Sequence, residues 1–379
     1  MQPLKGMKVL ELARILAGPL IGQVLADLGA TVVKVESPSG DDTRTWGPPF
    51  VERGDDKTAS YFYSCNRGKQ SIALDFSNPE DLDLLYGLVD EADVLIENFK
   101  LGGLKKFGLD YDSLSARNPR LIYCSVTGFG QDGPYAARAG YDYLLQGMAG
   151  LMSITGAKDG DPMRFGVAVT DVVSGLYGVI AIQAALSQRQ QTGRGQHVDM
   201  SLFDSATSLL TNQASGYLAS GQEPGRIGNT HPSIVPYQVF EVSDGHIIIA
   251  VGNDRQFERL CQVLGADALA RTDDFATNAK RVEARSELTE KLQGYIRNWS
   301  RDALLAALED AVVPASPING LADVFADPQI LARDLVVTPQ GVPGVRSPMR
   351  FSDSVLALEK TAPRLDEHGA AIRKSGWNA

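Results

Sequence analysis

Between Lys8 and Glu36 the chain reads strand, loop, helix, strand, and no other stretch restricts the fold as much. Lys8-Val9-Leu10-Glu11-Leu12 has strand character, Arg14 to Pro19 forms a loop, Leu20 to Leu28 is helical, and Thr31 to Val35 is a second strand ending at Glu36. An α/β sheet begins in this way. The alternation continues with a strand after Lys69, an acidic amphipathic helix from Pro79 to Glu91, and a buried strand from Asp93 running into Phe99. Leu121 to Val126 is a further strand, and Gln196 to Phe203 a last one entering a long helix through Leu218. A strand, a glycine loop, a helix and a strand ending in an acid also describe a dinucleotide site with Glu36 on a ribose. Only Gly18 and Gly22 are present, however, and the three-glycine fingerprint is missing. Ligands of open α/β sheets bind beyond the carboxyl ends of the strands, so the loops at 13–19, 98–108 and 127–141 are where a pocket is expected.

A chain of 379 residues exceeds one ordinary core, which makes two domains the starting expectation. Hydrophobic residues at 44% and charged residues at 22% are those of a globular protein and not of a disordered one. Strand character from Met7 onward leaves no room for a secretory leader, and no uninterrupted apolar run reaches the ~18 residues of a membrane span. Three widely spaced cysteines, Cys65, Cys124 and Cys261, fit neither a disulfide framework nor a zinc site, which points to a reducing cytoplasm. A net charge of −10 disfavours nucleic acid as a partner, so an anionic small molecule would need a local basic pocket.

Gly166 to Leu186 holds one carboxylate, Asp171, in an otherwise apolar segment. Val172, Val173, Leu176, Val179, Ile180 and Leu186 recur at helical spacing, so Asp171 falls at the N-terminus of a largely buried helix. There an anion is favoured, and a helix cap accounts for Asp171 on local grounds. The loop Gly40 to Phe50 carries Arg44 and Trp46. The planar fork of Arg44 suits a carboxylate ligand, and a pair with Asp41 or Asp42 explains it equally well. A solvated face accounts for Arg67 and Lys69 as well as for Lys100 and Lys105.

Ala17-Gly18-Pro19, Leu28-Gly29-Ala30, Lys34-Val35-Glu36, Gly40-Asp41 with Thr43-Arg44, Asn66 with Lys69 to Ile72, Glu97-Asn98-Phe99, Asn118 to Ile122 and Thr192 to Gln196 together resemble the family III CoA-transferases in order and spacing. The likeness runs to Leu365-Asp366-Glu367-His368. It implies an α/β fold with a Rossmann-like large domain over 1–220, built on a parallel sheet. A smaller α/β domain over 221–328 follows, then a C-terminal segment, 329–379, returning to the large domain of an interlocked homodimer. In the second half, Gly245 to Val251 reads as a strand, and Phe257 to Leu264, Glu283 to Trp299 and Arg301 to Leu308 as helices.

The family also includes acyl-CoA racemases, which carry Gly-His-Asp where this chain has Gly140-Tyr141-Asp142, so the racemase base is missing. Asp171 falls where the transferases keep a nucleophilic aspartate. The resemblance therefore implies covalent CoA transfer through an Asp171 anhydride and an Asp171–CoA thioester, with Asp171 ionised at neutral pH. It places Ala17, Leu74, Asn98, Phe99, Lys106, Arg138 and Tyr141 at CoA contacts, while Arg44, by its fork chemistry, and Trp46 are the candidates for the acid substrate. An acyl-CoA thioester and a small carboxylic acid, here a C4–C6 dicarboxylate, are the implied substrates. No metal, permanent cofactor, nucleic acid or membrane is implied. A racemase or isomerase, or a CoA-binding protein without turnover, are the alternatives.

Overall fold

The computed structural model describes residues 1–379. It comprises two compact units, Met1–Met152 with Arg164–Gln222 and Pro328–Ala379, and Ser153–Met163 with Glu223–Asp327.

The first unit is organised by a six-stranded parallel sheet. Its strands are β1 (Lys8–Glu11), β2 (Thr31–Glu36), β3 (Gln70–Ala73), β4 (Val94–Glu97), β5 (Ile122–Thr127) and β6 (His197–Ser201), in the spatial order β3-β2-β1-β4-β5-β6. Their runs of Val, Ile and Leu suit strands covered on both faces. One face packs on α1 (Ala17–Asp27) and α2, the long helix Val169–Thr192, through Ile21, Leu25, Ile96, Cys124 and Ile182. On the other face, Leu10, Val33, Leu95 and Tyr123 meet Leu85, Leu88 and Leu114 from the helices Pro79–Glu91 and Tyr111–Arg117. The order reverses between β1 and β4, and in open α/β sheets ligands bind at such a switch point.

Helix α1 begins at Ala17, earlier than the loop reading of Arg14 to Pro19 expects, with Pro19 accommodated in its first turn. Helix α2 runs six residues past Leu186 to Thr192 and stops at Gly193, whose left-handed backbone (φ 72°) lets its N–H donate to Arg189 O at 2.8 Å. The two helices lie close because Gly175 and Gly178 have no side chains. A Cβ at Gly175 would meet Ala17 O at 3.0 Å, and one at Gly178 would meet Ile21 Cδ1 at 2.5 Å. No uninterrupted apolar run occurs in α2, as expected, yet by length and composition the helix is apolar enough to cross a bilayer, so the absence of such a run does not by itself exclude a span. Its buried face belongs to the core, while Leu176, Tyr177 and Ile180 are exposed. The long helix expected after the last strand is two helices, Leu202–Ser208 and Thr211–Ser220, broken where Thr211 takes φ 37°.

The second unit has a three-stranded antiparallel sheet in which Gly245–Ala250 lies between Tyr237–Val242 and Ala315–Pro317. Phe240, Ile247 and Ile249 pack against Phe257, Leu260, Leu288, Leu292, Ile296, Leu304 and Leu308 from helices Asp254–Val263, Arg285–Ile296 and Arg301–Asp310. Each fully buried Leu, Ile or Phe contributes about 1.5–3 kcal/mol to this core. Arg281 is buried within it and donates to Val235 O, Phe275 O and Asp254.

Candidate active site

Asp171 stands in the first turn of α2, where main-chain N–H groups and the helix dipole favour an anion. It is not the cap. Ala168 holds that position without a side-chain cap, and no N–H or O–H donates to the Asp171 carboxylate. Burial, and then the nearby Asp142 carboxylate, push Asp171 up to about 7. No positive charge offsets them, so the expectation of a fully ionised Asp171 at neutral pH needs correcting: its carboxyl is held well above the usual carboxylate range.

Asp142 is itself anchored. Its Oδ1 accepts from Thr170 N at 2.8 Å and from the Thr170 hydroxyl, and its Oδ2 accepts from Gln146 Nε2 at 2.8 Å. Gln146 Oε1 accepts from Phe165 N at 2.8 Å. The short helix Asp142–Met148 thereby ties down the segment entering α2. Fully paired buried polar groups of this kind fix one conformation.

Asp171 opens onto a cleft of about 440 Å³ at the β1/β4 switch point. Its walls are residues 14–17, 98–101 and 103, 126–128, and 136–142, with Leu202. The three loops expected to form a pocket therefore converge on one, and Ala17, Asn98, Phe99, Arg138 and Tyr141 all line it with Asp171. Tyr141 is 62% exposed, and Arg138 lies over the Tyr135 ring at 3.9 Å. Asn98 lines the cleft, but its amide is engaged with the backbone of Arg14, donating to Arg14 O at 2.7 Å and accepting from Arg14 N at 2.9 Å.

Other expected contacts lie elsewhere. Leu74 is buried in the core with Leu85 and Leu95 and offers no surface to a ligand. Lys106 is not among the cleft residues and lies over the Phe107 ring at 4.5 Å. Arg44 requires a correction. Its fork clasps Glu36, with Nε at 2.8 Å and Nη2 at 2.7 Å, and its guanidinium stacks 3.7 Å from the Phe62 ring centroid. Pro363 O accepts a further bond from Nη2. Neither Asp41 nor Asp42 is its partner, and a substrate carboxylate would have to displace a buried, bidentate one. Glu36 is thereby closed to a ribose. Burial opposes its ionisation, but the Arg44 hydrogen bonds, Lys34 and Ser71 outweigh that and hold it below the usual carboxylate range. Trp46 is partly exposed and meets Tyr61 edge-on at 5.4 Å. Tyr61, missed in the sequence, is pushed up to about 12, first by burial and then by the Asp171 charge, so it stands near the carboxylate as a neutral phenol.

Arg67 and Lys69 are not a solvated face. Arg67 clasps Asp27 at 3.1 and 2.7 Å, and Lys69 reaches Glu11 at 2.7 Å beside Lys34, which lies 3.1 Å from Glu11 and 3.0 Å from Asp41. Lys34, Lys69 and Glu11 are wholly buried under the loops that form the cleft wall.

The family model described as CoA-transferase family III matches residues 4–369. A succinate–glutarate CoA-transferase of Agrobacterium fabrum is 52% identical over 98% of this chain and 94% of its own length. The human succinyl-CoA:glutarate CoA-transferase is 41% identical over 98% of this chain and 86% of its own. Among solved structures, a CaiB/BaiF family protein from Brucella suis superposes with a TM-score of 0.92 at 59% identity, covering 98% of this chain and 99% of that one.

Proposed function

The chain belongs to the family III CoA-transferases, and from that premise we propose that it exchanges CoA between succinyl-CoA and a C4–C6 dicarboxylate such as glutarate, with Asp171 as the nucleophile. The observation that carries this reading is an unpaired carboxylate, raised to about 7, at the first turn of a core helix and opening onto a cleft at the sheet's switch point. The relatives named for succinate and glutarate supply the substrate class.

In this mechanism ionised Asp171 attacks the thioester carbonyl carbon, the C–S bond breaks, and CoA leaves as a thiolate from a mixed anhydride. The thiolate then attacks Cγ of Asp171 and expels succinate, leaving an aspartyl–CoA thioester. The acceptor carboxylate attacks that Cγ, the thiolate leaves again, and its attack on the acceptor's carbonyl yields the new thioester and restores Asp171. Desolvation aids the two carboxylate attacks because a poorly solvated carboxylate is the stronger nucleophile. Phe99, Tyr141 and Ala17 wall the thioester, Arg138 meets phosphate, and Trp46 with Tyr61 borders the acid. Lys106, outside the cleft, is assigned to the nucleotide end by the resemblance alone. No resident cofactor is required. Tyr141, standing where racemases keep a histidine, disfavours α-proton abstraction.

The exposed apolar side chains Leu176, Tyr177 and Ile180 of α2, with Tyr143 and Leu144, support a second copy of the chain covering this face, in the interlocked homodimer the resemblance implies. Sedimentation equilibrium tests the dimer; a monomer at micromolar concentration excludes it. Transfer is tested by mixing succinyl-CoA with glutarate and following glutaryl-CoA. Asp171→Asn is expected to lower kcat about 10⁴-fold or more. Full turnover by that variant would overturn the assignment.

A further inference from the structure

The sharpest backbone anomaly in the cleft is Ile15, a β-branched residue at φ 73° between β1 and α1. A branched side chain is disfavoured there, so the surroundings must hold it. They do so atom by atom. Lys34 Nζ donates to Ala13 O at 2.8 Å. Asn98 closes a two-bond ring with the N–H and C=O of Arg14. Ile15 N donates to Asp41, 3.2 Å from Oδ2 and 3.4 Å from Oδ1, and Ile15 O accepts the Cys65 thiol at 3.5 Å. Asp41 is in turn fixed by Lys34 and by the N–H and hydroxyl of Thr43, which with Lys34 hold it below the usual carboxylate range against burial.

The turn feeds directly into Leu16 and Ala17, which line the cleft with Asp171. Ala17 O would lie only 3.0 Å from a Cβ on Gly175, one turn along the helix that carries Asp171. The part of the cleft wall that packs beside the nucleophile's helix therefore follows from the Ile15 conformation.

We propose that Asn98 and Asp41 are positioning residues that clamp the Arg14–Ile15 turn in its left-handed form, so that the wall of the thioester site is built before substrate arrives. Asn98 acts through the backbone of Arg14 and not by touching CoA. This rests on the reading of the cleft as the CoA-thioester site.

Glycine adopts φ near 73° without strain, and that makes the clamp testable by rescue. Asn98→Ala, Ile15→Gly and the double variant are compared for CoA affinity by titration calorimetry, for kcat and KM with succinyl-CoA, and for amide exchange of the peptide spanning 12–17. Asn98→Ala alone is expected to weaken kcat/KM about tenfold, the equivalent of a left-handed penalty for a branched residue. In the Ile15→Gly background the same substitution should cost less than about threefold. Exchange in the peptide should rise in Asn98→Ala whatever the turnover. An equal loss in both backgrounds would make Asn98 a direct ligand and overturn the proposal, as would unchanged exchange in Asn98→Ala. A wild-type protein that binds no CoA would instead refute the CoA reading, and the exchange result would still decide the clamp.

Discussion

Glu11 and Asp171 are both carboxylates withdrawn from water within the first unit, and they differ in what faces them. Glu11 has Lys34 at 3.1 Å and Lys69 at 2.7 Å, both fully buried. Asp171 has no cation and no hydrogen-bond donor, and the charge that acts on it is the Asp142 carboxylate. A buried charge with its partners in place holds two segments of chain together, whereas one without partners is held at a cost in stability and is available to react. The same division separates Arg44, engaged by Glu36, from a true ligand-binding arginine.

The largest effect expected from breaking this contrast is at Glu11. Glu11→Gln leaves Lys69 buried without a carboxylate and Lys34 with Asp41 alone, and should destabilise the fold by about 3–5 kcal/mol in urea titrations. A change below 1 kcal/mol would show that the network contributes little. Arg44→Met leaves Glu36 without its fork and should cost about 3 kcal/mol while leaving the acceptor's KM unchanged. An acceptor KM raised tenfold in a stable variant would return Arg44 to the substrate.

Asp171→Asn should do the opposite of Glu11→Gln. The folded group titrates near 7 and the unfolded one near 3.8, so wild-type stability falls as pH rises between those values. The variant's advantage in Tm should therefore grow from pH 4 to pH 7 and then level off. A constant difference across that range would mean that Asp171 is not perturbed. The smallest effect concerns Asp142. Because attack needs the carboxylate, kcat/KM for succinyl-CoA should rise with pH and reach half its maximum near 7. Asp142→Asn removes the like charge and should move that midpoint toward acid by less than about one unit. A shift toward alkali would contradict the coupling.

What the sequence made legible follows from how local each signal is. The helix Pro79–Glu91 matches its expectation because its start is written locally: Asn78 accepts from Glu80 N, and Pro79 opens the first turn. Asp171 stood out because a lone carboxylate in an apolar helix is itself an anomaly. Arg67, Lys69 and Arg44 were opaque because their partners, Asp27, Glu11 and Glu36, lie 40, 58 and 8 residues away and are brought near only by the sheet. The break at Thr211 has no glycine or proline to announce it. The roles of Tyr61 and Gln146 depend on how the loop and helix bearing them meet α2, which no periodicity encodes.

The most direct test of the central claim is intact-protein mass spectrometry after incubation with succinyl-CoA, with and without hydroxylamine, on wild type and Asp171→Asn. A hydroxylamine-sensitive acyl or CoA adduct on the wild type alone is the predicted result. Turnover of succinyl-CoA and glutarate with no adduct on Asp171, or an equal adduct on Asp171→Asn, would contradict the account and leave Asp171 as an unpaired carboxylate without a covalent role.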